Sequence, residues 1–183
     1  MFKNADLLFL QSVPDNFSQA IVDSTVTSKK TTYDHVALIE VTANNEIFVL
    51  HSLPSTGSIR ESYSEFKTRD WARIDLFRSS QLINTTQIIA QAKQLLGQPY
   101  NDSYSPNAHG YYCADFVYTA FKNNQIFKLI SMNFMDQKNK TILPFWVDYY
   151  SQLGISVPNG QPGLNPNEMV QQGNLHKITN VVL

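Results

Sequence analysis

The chain has 183 residues, a formal net charge of -1, 43% hydrophobic and 16% charged residues. These values predict one globular domain over residues 1–183 with a sizeable core, and they exclude a disordered chain. They offer no electrostatic basis for a nucleic-acid or anionic-membrane partner. The single cysteine excludes an internal disulfide and any cysteine-rich zinc or iron–sulfur site.

In chain order, Leu7 to Leu10 is a short apolar run that reads as a buried strand. Pro14 to Val26 has Phe17, Ala20, Ile21 and Ser24 at helical spacing. His35 to Val41 is apolar and β-branched, a strand. Asn44 and Asn45 turn the chain, and Glu46 to His51 returns as the second arm of a hairpin. Pro54 to Ser58 reads as a loop, Ile59 as the start of a brief strand, Tyr63 to Thr68 as a helical turn, and Ala72 to Phe77 as a strand. Asn84 caps a helix to Leu96 that Gly97 stops. A loop from Gln98 to Gly110 leads to a helix from Cys113 to about Lys122. Pro144 to Leu153 is a further helix ending at Gly154. Pro158 to Gly173 reads as an ordered surface loop, and Ile178 to Leu183 as an edge strand. Strands gather before Phe77 with helices around them, an α+β class.

The N-terminal apolar stretch is short and broken by Asp6, so it does not read as a secretory signal. No apolar run is long enough for a transmembrane helix. The expected compartment is the cytoplasm, or an extracytoplasmic one reached by a chain whose signal has been removed.

The chemistry concentrates on Cys113. At a helix N-terminus it feels the positive end of the helix dipole, which favours the nucleophilic thiolate. His35 opens one strand of the predicted hairpin and His51 closes the other. At the same end of adjacent strands they can be neighbours, so His51 can hold the ring nitrogen of His35 that does not face sulfur. The Cys113 N–H is a candidate oxyanion donor. Taken singly, these residues also fit a buried structural thiol and structural histidines. His109, in the loop before Cys113, is a rival for the third position, and His176 reads as solvated. No metal-ligand constellation is evident, and no cofactor is expected.

Several segments in order resemble one superfamily. Ala5-Asp6-Leu7-Leu8-Phe9 resembles the opening strand of NlpC/P60 proteins. Tyr33-Asp34-His35-Val36-Ala37-Leu38-Ile39 resembles their histidine strand, and Phe48-Val49-Leu50-His51-Ser52 the strand of their third polar residue. Gly97-Gln98-Pro99-Tyr100-Asn101 and Tyr112-Cys113-Ala114-Asp115-Phe116-Val117 resemble the segments before and at the nucleophile, and Pro166 to Met169 a late segment. Histidine precedes cysteine here, similar to the circularly permuted, YiiX/YaeF-like branch of papain-fold cysteine hydrolases. The resemblance implies a permuted papain-like fold with an antiparallel sheet packed against helices. It implies Cys113 as nucleophile, His35 as base and His51 as orienting group, standing where glutamate is frequent. Tyr100 and Tyr112 are expected to face substrate. The expected reaction is cleavage of an amide in a small peptide, with peptidoglycan-derived peptides as the favoured class. The alternatives are an acyltransferase or lipid thioesterase using the same residues, and a non-catalytic binding module.

Overall fold

The computed structural model describes residues 1–25, 32–136 and 138–179. Its centre is β1 (Leu7–Ser12), an apolar strand buried along most of its length. Strands β2 (His35–Val41), β3 (Ile47–Leu53) and β4 (Gly57–Ser62) extend the sheet on one side. On the other side lie β5 (Trp71–Ser79) and β8 (Leu175–Ile178). The order is β4-β3-β2-β1-β5-β8, and every neighbour is antiparallel.

Alternation sorts the strands' side chains into two layers. Leu7, Phe9, Val36, Leu38 and Leu50 face the larger core. Against it packs α4 (Cys113–Phe121), which meets β2, β3 and α3 (Thr85–Gln94). Leu8, Leu10, Ala37, Ile39 and Val49 face the opposite way, into a smaller cluster closed by Phe66 of α2 (Tyr63–Phe66). Two further helices, α1 (Asn16–Thr25) and α5 (Pro144–Leu153), pack together at the large-core side through Phe17, Phe145 and Trp146.

Several sequence expectations need correction. Ile59 does not begin a brief strand: β4 starts at Gly57 and pairs along β3 from Leu53↔Gly57 to Phe48↔Ser62. Gly57 makes this possible. Its φ of +70 turns the chain, and a Cβ there would lie 2.2 Å from the Gln98 carbonyl oxygen. The predicted surface loop from Pro158 to Gly173 instead contains the short strand β7 (Pro162–Gly163), paired with β6 (Ile130–Ser131), and α6 (Pro166–Gln171). Leu164, Pro166, Asn167 and Met169 there are buried, so this segment is wall rather than surface. The Asn167 amide donates to the Tyr33 carbonyl and accepts from the Tyr33 N–H at 2.9 and 2.8 Å, fastening α6 beside the entry to β2. The expected C-terminal edge strand begins earlier, at Leu175, and the part of that expectation from 180 to 183 lies outside the described residues.

Candidate active site

Cys113 is the first residue of α4. The helix has Tyr112 at its N-cap and no side-chain cap, so its first amides are free to face a ligand or the sulfur. The Ser52 hydroxyl, at the end of β3, donates to the Tyr111 carbonyl at 2.6 Å. This bond ties the start of α4 to the strand that carries His51.

His35 and His51 are held in a chain of hydrogen bonds. His35 Nε2 lies 2.9 Å from His51 Nδ1, and His51 Nε2 lies 2.9 Å from Glu61 Oε1. The strand register explains the geometry. His51 opposes Ala37 on one side by the β2–β3 register and Ile59 on the other, so His35 and Glu61 are its diagonal neighbours on the same sheet face. Arg69 completes the chain, donating from Nε to Glu61 Oε1 at 2.8 Å and from Nη2 to Oε2 at 3.0 Å. The Trp71 ring stacks on His35 at 5.4 Å with planes 13° apart, and Phe66 meets His51 edge-on. Glu61, Arg69, Phe66 and Trp71 were not singled out in the sequence. Glu61 becomes visible only once β4 is recognised as a full third strand.

Cys113 and His35 line one cavity of about 230 Å³. Tyr100 and Tyr112 also line it, with Phe17, Ile21, Phe134, Trp146 and Leu164. Most of the wall is aromatic or aliphatic. Among the described residues, the Asp, Glu, Lys or Arg side chains on the lining are Asp15 and Asp34. Both Asp34 oxygens accept from the Ser12 N–H, and the Ser12 hydroxyl adds a bond to one of them. His109 lies on a different pocket with Asp115, and His176 is exposed with its Nδ1 3.2 Å from the Ser80 hydroxyl. Neither shares a wall with the thiol. Among the described residues, no three His, Cys, Asp or Glu side chains converge as metal ligands.

The electrostatics reverse one expectation. Burial pushes the Cys113 thiol up to about 12, and the Asp34 carboxylate adds to this; the Val36 and Ala114 amides pull the other way without prevailing. Desolvation outweighs the hydrogen bonds from these amides. Burial, with His51 and Arg69 nearby, holds His35 well below 6.5. Burial also lowers His51, despite the pull of Glu61. Burial works to raise Glu61, but hydrogen bonds from His51 and Arg69 outweigh it and hold the carboxyl at about 2. These shifts favour a neutral thiol, neutral imidazoles on His35 and His51 and an ionised Glu61. The thiol's partners are backbone amides, and His35 is not among them. In ligand-free hydrolases the bond between nucleophile and base commonly tightens only when substrate arrives.

The comparisons with known proteins bear on this arrangement. Residues 2–179 match the model of the family described as permuted papain-like amidase enzyme, YaeF/YiiX, C92 family. The chain also superposes on the crystal structure of metalloprotein YiiX from Escherichia coli O157:H7, with a TM-score of 0.76. That match has 16% sequence identity and covers 97% of this chain and 96% of the other, a likeness of fold. No curated protein sequence matches the chain.

Proposed function

We propose, from the premise that the chain belongs to the permuted papain-like amidase family, YaeF/YiiX, C92, that it cleaves an amide through an acyl-enzyme on Cys113. The family makes it a cysteine peptidase/amidase-type enzyme. The observation that carries the residue roles is the placing of Cys113 and His35 on one cavity, with His35 Nε2 held by His51 at 2.9 Å.

Because thiol and imidazole are both neutral at rest, the reaction starts as general-base catalysis rather than from a preformed ion pair. As the sulfur attacks the substrate carbonyl, its proton passes to His35 Nδ1. The carbonyl oxygen gains the negative charge, which the N–H of Cys113 at the uncapped helix start stabilises. The C–N bond then breaks, and His35 returns the proton to the leaving amine. Water, deprotonated by His35, cleaves the thioester and restores the thiol. His51 keeps the imidazole in orientation throughout.

Amides of small peptides, including peptidoglycan-derived ones, fit this chemistry. The cavity favours a second reading of the substrate. An aromatic and aliphatic wall whose carboxylate or cationic side chains, among the described residues, are two aspartates suits an apolar acyl group better than an anionic peptide. On that reading the enzyme hydrolyses or transfers acyl groups with the same residues. A series of 4-nitrophenyl esters from acetyl to octanoyl, set against a γ-glutamyl peptide anilide, separates the two. The apolar reading predicts that kcat/KM rises roughly fourfold per added methylene, the equivalent of about 0.8 kcal/mol, until the cavity is filled. A flat ester series with efficient cleavage of the γ-glutamyl anilide would assign the site to anionic peptides.

A further inference from the structure

The hydrogen-bond chain behind His35 continues past the third residue, and its far end dictates the chemistry of its near end. A carboxylate can only accept hydrogen bonds. Glu61 Oε1, 2.9 Å from His51 Nε2, therefore takes a hydrogen from that nitrogen. A neutral imidazole carries one N–H, so His51 Nδ1 is bare. The 2.9 Å contact between His51 Nδ1 and His35 Nε2 then has its hydrogen on His35. His35 Nδ1 is left as a bare lone pair, the form a base needs. Arg69 closes the logic. Its two parallel bonds occupy both carboxylate oxygens in a fork that fixes the plane of Glu61.

We propose that Glu61, clamped by Arg69, is a positioning residue that sets the tautomers of His51 and His35 and so leaves the base lone pair on the nitrogen that His51 does not hold. This rests on the reading of His35 as base. A histidine in the third position, uncharged, stabilises an imidazolium less than a carboxylate does. Glu61 supplies the missing negative charge one residue further back. When His35 takes the thiol proton, its positive charge is bonded through a neutral ring to an anion.

The test uses the full chain, labelled with ¹⁵N-histidine, and reads the ring-nitrogen shifts together with 4-nitrophenyl acetate turnover. In the unaltered protein both rings are expected to be Nε2–H tautomers. In Glu61→Met no acceptor faces His51 Nε2, so nothing holds the hydrogens on the two Nε2 atoms, and Nδ1–H forms should appear in both rings. Turnover should fall roughly 10²-fold or more, toward the scale of a base trapped in the wrong tautomer. Glu61→Asp, still an acceptor, should keep the original tautomers and remain within about tenfold. Glu61→Gln should keep them too, because its amide oxygen at the Oε1 position can take both the Arg69 Nε–H and the His51 Nε2–H. The proposal is overturned if the rings of the unaltered protein are Nδ1–H or doubly protonated, a result that needs no variant to fold. It is equally overturned if Glu61→Met leaves both tautomers unchanged. A tautomer switch in Glu61→Met with unaltered turnover would uphold the control of tautomers by Glu61 and overturn His35 as the base.

Discussion

Replacing Cys113 with Ala is expected to abolish 4-nitrophenyl ester turnover, a loss of roughly 10³-fold or more, set by the residual binding and oxyanion contribution. The Ser12 hydroxyl donates to Asp34, and the Ser18 hydroxyl donates to Asp15. Cys113 is a small, buried side chain on α4, so removing its sulfur should cost only about 1 kcal/mol of stability. A variant with unchanged thermal unfolding and turnover within tenfold of the unaltered protein would show that the nucleophile lies elsewhere.

The second large effect concerns His35. With the thiol pushed up to about 12, little thiolate exists at neutral pH, and alkylation by iodoacetamide depends on a base. His35 is neutral at any pH above 6.5, because burial holds it well below that value. Alkylation of the unaltered protein should therefore be nearly flat between pH 7 and 9 and decline only at acid pH, as His35 protonates. In His35→Gln, whose amide can still donate to His51, only thiolate reacts. The rate should then rise about tenfold per pH unit over the same range, and at pH 7 fall about 10²-fold or more below the unaltered protein. Equal slopes in the two proteins would remove His35 from the chemistry of Cys113.

What could be read from the sequence, and what could not, follows the range of the signals. The β-branched run at His35 and the helix start at Cys113 are local signals, and both elements lie where they were expected. The hairpin argument placed His35 and His51 as neighbours, and the register shows them as a diagonal pair joined at 2.9 Å. Glu61 escaped because Pro54 to Ser58 looked like a loop. The turn is shorter, and the conformation of Gly57 and its close approach to Gln98 are tertiary facts. Ala5 is a similar case. It stands where the resembling motif has glycine, and it adopts φ +66, the left-handed conformation that glycine takes without strain. The late segment failed for another reason. Asn165, Pro166 and Glu168 are an N-cap, a first-turn proline and an acidic third position, and the Asn165 side chain accepts from the Glu168 N–H. That local signal was outweighed by the surrounding proline and glycine. The dipole argument at Cys113 is local, whereas the burial that pushes its thiol up comes from the whole cavity.

The central claim is that Cys113 becomes covalently acylated. The direct measurement is peptide mapping by mass spectrometry of protein quenched in acid during turnover of 4-nitrophenyl octanoate. The account predicts one octanoyl group, labile to hydroxylamine as a thioester is, on the peptide that contains Tyr112 and Cys113. Ester turnover with the acyl group on another residue, or with no acyl-enzyme while the thiol stays open to alkylation, would contradict it.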